Sequence, residues 1–233
     1  MTGVQTCALP IYGDILVGTS AHGVMLMSAN RQDARQMNGV LGDIKTVQRM
    51  MEDSRGNVWL VTESQGLLCY DGKKIERYFQ LADELDMVRD VCVDNQGHIY
   101  VGTANAGMFR LDGKKTHIEG TGSKHISTLF VNHENHIFIG YDGLGLAIYD
   151  PQTGIVIDNP YYSRDVDLST AKVYSICEDR NGNTWLGLLQ KGIYMHPVKT
   201  TGFHYMGYKL GVRNTIGSAC ITSVFIRDRK SVV

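Results

Sequence analysis

The stretch Gly182-Asn-Thr-Trp-Leu-Gly-Leu188 decides the fold, because variants of it occur five times along the chain. The other copies begin at Gly13, Gly56, Gly97 and Asn135, so successive copies start 43, 41, 38 and 47 residues apart. A further glycine follows every copy, and these glycines are Gly23, Gly66, Gly107, Gly145 and Gly192. Self-similarity at such a period is typical of an array of small, structurally identical units.

A second pattern precedes four of the copies. Two apolar residues stand three apart and are followed three positions later by Asp or Asn, as in Val173, Ile176 and Asp179. We expect the side chain of Asp179 to bond the backbone of a hairpin turn, because Asp commonly bonds the backbone two residues on. Gly182 then supplies the positive φ that the turn requires. The pattern therefore predicts a strand before each turn and a second strand after it.

The second strand carries apolar residues on both faces, since Val58 and Leu60 alternate with Trp59 and Val61. This is typical of a strand that lies between two neighbouring sheets. Two further strands are predicted in each unit, one after the isolated glycine and a weaker one after the next turn. Four antiparallel strands in about 40 residues form the blade of a β-propeller. The alternative, a stacked β-solenoid, fits less well because its coils are shorter.

Composition excludes several classes of protein. Hydrophobic residues make up 43% of the 233 residues, which is enough for a substantial core and excludes a disordered chain. The 23 basic and 24 acidic residues leave a net charge of −1, so we expect no nucleic acid partner and no anionic membrane partner. The five cysteines include no CxxC pair. Cys92 and Cys177 occupy equivalent positions in their units, which favours packing over chemistry.

The hairpin motif resembles a known repeat. Asp179-Arg-Asn-Gly-Asn-Thr-Trp-Leu-Gly187, and residues 53–60 with Gly66-Leu-Leu-Cys-Tyr-Asp71, are similar to the two-component-regulator propeller repeat. That repeat builds the sensor domains of hybrid two-component systems in gut Bacteroidota. The resemblance covers roughly residues 13–226. Tryptophan is missing from three copies, which have Leu16, Tyr100 and Phe138 in its place.

The resemblance implies a function. The chain would be a ligand-sensing periplasmic propeller of a hybrid two-component protein that recognises a glycan-derived oligosaccharide and regulates polysaccharide-utilisation genes. The full-length protein would be a histidine kinase and a homodimer, with further blades and downstream signalling domains as partners. A diguanylate cyclase that carries the same propeller fits equally well. The alternatives are a propeller lyase or hydrolase, for which His22 with Glu63 is the one candidate pairing, and a protein-interaction scaffold.

Both ends of the sequence depart from the repeat. Residues 1–11 fit no blade strand and look like a translated sequencing adapter, so we expect an unstructured or non-native leader there. A sixth copy starts at Ile221 and Val224 but loses the pattern from Arg227 onward. We therefore expect a partial propeller over residues 12–226, with five blades and a truncated sixth, and a non-native or truncated tail over 227–233. An incomplete ring would make the chain a fragment of a longer protein.

Ligand contacts in propellers come from loops that converge on one end of the central channel. If the strand before the hairpin is innermost, that end carries the loops between the second and third strands and the inter-blade loops. The candidate ligand-binding residues are His22, Glu63, Gln65, Asn105, Asp142, Tyr161, Tyr162, Arg164, Gln190 and Lys191. Tyr161 or Tyr162 would stack on a sugar and Arg164 would pair with a carboxylate, although a loop with one Tyr packed inward explains the same residues.

No catalytic residue, cofactor or metal site is predicted from the motifs. The turn at Asp179 lacks the downstream Glu of a calcium loop. His133-x-x-His136 offers two imidazoles, but a third ligand is missing nearby in the sequence, so a metal site there is disfavoured. We therefore expect the segment itself to bind a ligand and not to perform chemistry.

Overall fold

A computed structural model of the protein describes residues 7–11, 14–28, 30, 32–37, 44–63, 65–77, 87–163, 166–198 and 204–206. These residues form strands, turns and loops, and none of them lies in a helix. Accordingly, no helix suited to crossing a membrane is found among them. The strands build five four-stranded antiparallel sheets in which neighbours follow the order of the sequence. The predicted all-β class and the four-stranded blades are therefore confirmed.

The chain divides into two compact units, Met1–Thr116 and His117–Val233. The first three blades fall in the first unit, apart from His117 at the end of the third blade. The first blade consists of β1 (Cys7–Ile11), β2 (Asp14–Gly18), β3 (Val24–Met27) and β4 (Ala34–Gln36). The second consists of β5 (Val47–Glu52), β6 (Val58–Thr62), β7 (Gly66–Tyr70) and β8 (Ile75–Arg77). The third consists of β9 (Val88–Val93), β10 (Ile99–Thr103), β11 (Met108–Leu111) and β12 (Lys115–His117).

Two blades belong to the second unit. The fourth blade consists of β13 (Ile126–Val131), β14 (Ile137–Tyr141), β15 (Leu146–Asp150) and β16 (Ile155–Asp158). The fifth consists of β17 (Val173–Glu178), β18 (Thr184–Leu188), β19 (Gly192–His196) and β20 (His204–Met206). In both units the first strands of adjacent blades contact each other, β1 with β5, β5 with β9 and β13 with β17. This arrangement fits first strands that lie innermost.

The amino-terminal segment differs from the expectation. Residues 7–11 are predicted to fit no blade strand, but Cys7–Ile11 pairs antiparallel with Asp14–Gly18 and completes the first blade. The hydrogen-bonding edge of β2 opposite β3 supplies the partner, and the sequence pattern gives no sign of this pairing because Pro10 interrupts it. Residues 1–6 and the predicted tail and sixth blade beyond residue 206 lie outside the described residues.

Alternate residues of the second strands pack against different neighbours, as their pattern predicts. Leu60 belongs to a core cluster shared with Leu16 of the preceding blade. Trp59 and Val61 belong to another cluster, which they share with Val88 of the next blade. All four apolar positions of β6 are at most 2% exposed. The hydrophobic effect, through burial of both faces of the strand, thus stabilises the stacking of one blade on the next.

The glycine inside the repeated phrase permits this stacking. A Cβ atom at Gly140 would lie 2.7 Å from Thr128 Cγ2 and 2.8 Å from the carbonyl oxygen of Val173 in the next blade. Gly18 is in the same situation, since its Cβ would lie 2.8 Å from Val47 Cγ1. In the first and fourth blades the phrase therefore has glycine where the first strand of the next blade passes directly over it, whereas the second blade has Val61 at this position.

Candidate functional site

The loop end of a blade, where the second strand turns into the third, has a backbone fixed by recurring hydrogen bonds. The first loop residue donates its N–H to the carbonyl of the residue just before the same blade's first strand. These bonds are Glu63 to Thr46 at 3.3 Å, Ala104 to Met87 at 3.1 Å, Asp142 to His125 at 3.0 Å and Leu189 to Lys172 at 2.9 Å. Bonds of this kind do not depend on the side chains, so the loop residues can vary without loss of the frame.

A threonine side chain adds a clamp in the first three blades. Thr103 Oγ1 donates to the carbonyl of Gly107 at 2.8 Å and accepts from the N–H of Ala106 at 3.0 Å. Thr19 and Thr62 make the equivalent pairs of bonds. The glycine that closes each loop has a positive φ, for example 76° at Gly107. The threonine of the repeated phrase and the isolated glycine therefore act together to hold the loop end rigid.

The predicted residues of the first unit lie on these rigid loops. His22, Glu63 and Asn105 are exposed, whereas Gln65 is half-buried. The carbonyl of His22 accepts a hydrogen bond from Gln36 Nε2 at 2.8 Å, which ties the loop to β4. The equivalent loops of the three blades thus present an imidazole, a carboxylate and amides, although at different positions within each loop.

In the second unit Asp142 is held by neighbours. Lys172 Nζ lies 2.8 Å from Asp142 Oδ1, and the two residues also form a β-bridge. The hydrogen bond to Asp142, together with its charge, raises the pKa of Lys172 above its usual value. In the fifth blade Gln190 is exposed with a φ of 61°, and Lys191 Nζ donates to the carbonyl of Asp167 at 3.3 Å. An ion pair and a charged amine therefore line this loop end.

The position of Tyr161 in the inter-blade loop differs from the prediction. Its ring stacks on His196 with centroids 3.6 Å apart, and its hydroxyl lies 3.3 Å from Thr184 Oγ1. Both partners lie at the hairpin end of the fifth blade, where first and second strands meet, so Tyr161 does not belong to the loop end. The ring of Tyr161 is packed against protein groups, and this burial raises the pKa of its hydroxyl.

The next residue behaves differently. Tyr162 is 72% exposed, and its carbonyl accepts a hydrogen bond from the hydroxyl of Tyr194 at 3.3 Å. Of the two tyrosines, one is therefore packed inward and the other is available to solvent. Arg164 lies outside the described residues.

At the hairpin end the motif residues hold each other. Asp179 Oδ1 accepts from the N–H groups of Asn181 and Asn183, both at 2.9 Å. Asp179 Oδ2 accepts from Asn183 Nδ2 at 2.8 Å and from Trp185 Nε1 at 3.0 Å. Asp53 repeats the set in the second blade with Asn57 and Trp59. The sequence predicts the backbone bonds, but the bond from tryptophan becomes evident only in the structure.

A cavity of about 610 Å³ lies at the hairpin end of the fourth and fifth blades and is not predicted from the sequence. The middle residues of both hairpin turns line it, together with Tyr161 and His196. Its one sequence signal is that His133 and Glu134 occupy turn positions that the repeat leaves variable. Among the described residues, no three His, Cys, Asp or Glu side chains are grouped so as to hold a metal ion.

Comparison with known proteins locates the repeat. The model of the two-component regulator propeller family matches residues 167–189, which include the Asp179 turn and Trp185. A search of curated proteins finds no match.

Solved structures share the fold. The extracellular domain of a putative hybrid two-component system from B. thetaiotaomicron matches 94% of this chain with a TM-score of 0.76 and 20% identity. PorZ of Porphyromonas gingivalis, a surface component of the type-IX secretion system, matches 95% with a TM-score of 0.68 and 14% identity. Virginiamycin B lyase from Staphylococcus aureus matches 91% with a TM-score of 0.65 and 13% identity.

The chain spans 30% of the hybrid-system domain, 36% of PorZ and 72% of the lyase. Because the three proteins have different tasks and are distant in sequence, the likeness establishes architecture alone. Fold and repeat nevertheless agree with the resemblance read from the motifs. The chain thus carries the two-component-regulator propeller repeat on a β-propeller fold.

Proposed function

We propose that the chain is the ligand-sensing part of the extracytoplasmic propeller of a hybrid two-component signalling protein. The ligand is a glycan-derived oligosaccharide, and the loop ends of the blades contact it. Binding in the periplasm controls a histidine kinase in the same polypeptide, which then regulates genes for polysaccharide use. The segment itself recognises the ligand and performs no chemistry.

One observation carries the proposal. The Asp179 turn is matched by the two-component regulator propeller family, and the fold is shared with extracellular domains of hybrid two-component systems. The design of the loop ends supports a binding role. Backbone bonds keep the loops in place, while the exposed side chains differ from blade to blade, as His22, Glu63 and Asn105 do. Rigid loops with variable side chains are the usual way in which one scaffold is adapted to different ligands.

The test is autophosphorylation of the intact protein in membrane vesicles. Size-fractionated oligosaccharides from plant and host polysaccharides are added, and incorporation of labelled phosphate from ATP is measured. We expect one glycan class to change the rate in a saturable manner. If no glycan alters the rate, or if the ligand is consumed during the assay, the proposal is wrong.

A matched pair of variants assigns the ligand to the loop end. Glu63→Ala removes an exposed carboxylate at the loop end of the second blade, and Glu52→Ala removes an exposed one at the other end of the same blade. We expect Glu63→Ala to raise the half-maximal ligand concentration about tenfold, a loss of about 1.4 kcal/mol, and Glu52→Ala to leave it unchanged. Equal responses of the two variants would place the ligand elsewhere.

A further inference from the structure

The cavity at the hairpin end of the fourth and fifth blades lies at the opposite end of these blades from the loops of the proposed function. Its volume of about 610 Å³ is within the range of small-molecule sites, about 300–1,000 Å³. Both blades belong to the second compact unit, and so does the inter-blade segment that carries Tyr161. The cavity is therefore a candidate site that is independent of the loop end.

One wall of the cavity is formed by rings and aliphatic groups. Phe138 and Tyr161 lie with ring centroids 6.4 Å apart, and Tyr161 is stacked on His196 with an interplanar angle of 10°. Ile148 and Val198 extend this wall. The stack is fixed by burial and by contact of the Tyr161 hydroxyl with Thr184 Oγ1. A preformed wall of aromatic and aliphatic groups suits a ligand that has an apolar face.

The other wall comes from the hairpin turns, and the frame limits which groups are available there. Asn132 Oδ1 and Asp179 Oδ1 are occupied by N–H groups of their own turns. These turn bonds do not use the side chains at the two middle positions of each turn. The middle positions place His133, Glu134, Arg180 and Asn181 in the lining of the cavity.

The lining carries three carboxylates, those of Glu134, Glu178 and Asp179, and the guanidinium of Arg180. Glu178, whose side chain is 11% exposed, bonds both the backbone N–H and Nδ1 of His133 and so links the two blades. Glu134 Oε2 lies 3.4 Å from His136 Nδ1, and its Oε1 lies 3.9 Å from His133 Nε2. Arg180 adds a cation to a rim that contains these carboxylates. Neither an anion nor a cation therefore meets a rim of purely opposite charge.

We propose that this cavity binds an uncharged, hydroxyl-rich ring, namely a monosaccharide or a disaccharide. The C–H face of the sugar packs on the wall of Phe138, Tyr161 and His196. Its hydroxyl groups, which both donate and accept hydrogen bonds, are matched by the carboxylate of Glu134 and the amide of Asn181. The proposal does not depend on a glycan at the loop end.

The test compares neutral sugars with charged derivatives of glucose. Binding of glucose, galactose, mannose and cellobiose to the full chain is measured by calorimetry, with glucuronic acid and glucosamine as the anionic and cationic counterparts of glucose. We expect saturable binding of at least one neutral sugar, and binding at least about tenfold weaker for the charged counterparts. Absence of saturable binding by every neutral probe, or tighter binding of a charged counterpart, overturns the proposal.

Variants place the sugar in the cavity. Glu134→Gln and Asn181→Ala change exposed turn residues whose backbone bonds are kept, and we expect each to weaken binding about tenfold. Gln96→Ala changes the position equivalent to Glu134 in the third blade and serves as the matched control, with unchanged affinity. If Glu134→Gln leaves the affinity unaltered, the sugar binds at another site and the proposal is overturned. Loss of affinity in Glu63→Ala with none in Glu134→Gln has the same meaning.

Discussion

The hairpin end of the blades adds a set of side-chain hydrogen bonds to its backbone bonds, whereas the loop end relies mainly on backbone groups. At the hairpin end, side chains such as Asp179 and Trp185 bond the turn and each other. At the loop end, backbone N–H and carbonyl groups make most of the recurring bonds. Side-chain bonds require particular residues, so the hairpin end is where the sequence repeats. Backbone bonds do not, so residues at the loop end can vary and still be rigidly placed.

The largest effect is expected where the loop end depends on close approach. Gly145 and Gly154 both have a φ of 74°, but a Cβ at Gly145 would lie 2.3 Å from Asn159 Oδ1 and 2.3 Å from the Leu168 carbonyl, whereas nothing lies within 4 Å at Gly154. Gly154→Ala should therefore cost only backbone strain, about 1 kcal/mol, and Gly145→Ala about 3 kcal/mol. Urea denaturation measures both free energies of unfolding.

The matched φ values make this pair a clean control, because strain of the left-handed backbone is common to both variants. A similar loss of stability in Gly145→Ala and Gly154→Ala would contradict close packing at the loop end and leave backbone conformation as the one cause.

The next largest effect concerns the hairpin end. Asp179→Ala leaves the indole N–H of Trp185 and three donors of the turn without their acceptor, and we expect a loss of about 2 kcal/mol. Asn132→Ala in the fourth blade removes a neutral acceptor of two backbone bonds and should cost about 1 kcal/mol. Equal losses in thermal or urea unfolding would show that charge and tryptophan add nothing to the turn.

The same carboxylate predicts a dependence on pH. Burial acts to raise the pKa of Asp179, but hydrogen bonds from Trp185 and Asn183 outweigh it and hold that pKa below its usual value of about 3.9. A lowered pKa in the folded state means that the stabilisation is present above about pH 4 and is lost as the pH falls through the folded value. The urea midpoint of the wild type should therefore fall more steeply below pH 4 than that of Asp179→Asn. Parallel curves would contradict the assignment.

The smallest effect is expected from the threonine clamp. Thr103→Val keeps the shape of the side chain but removes the bonds with Gly107 and Ala106. We expect a loss of about 1 kcal/mol and faster amide exchange at Ala106, with little change elsewhere, because Tyr141 and Leu188 occupy the same position in other blades. Global loss of exchange protection would mean that the side chain, and not the backbone, holds the loop end.

The sequence predicts the blades well because the turns between strands of one blade carry a residue of positive φ, as Gly56, Gly66 and Gly72 do in the second blade. The alternation in β6 also predicts burial on both faces, which the two core clusters confirm. The strand Cys7–Ile11 is not predicted, because it is defined by its pairing with Asp14–Gly18 and not by a strand pattern in its own residues. The sequence also assigns Tyr161 to the loop end, because Tyr161 and Tyr162 are adjacent in one loop and nothing in the sequence indicates which of them packs inward.

What the sequence by itself determined is the architecture: five copies of one phrase, each with the turn and glycine positions that a four-stranded sheet requires. It determined this because local hydrogen bonding and backbone conformation are encoded within a few residues. Only the tertiary structure decided which side chains meet across blades, such as His133 with Glu178 and Tyr161 with His196. Those contacts join residues 45 and 35 positions apart in the sequence, and they depend on how neighbouring sheets stack, which no local pattern records.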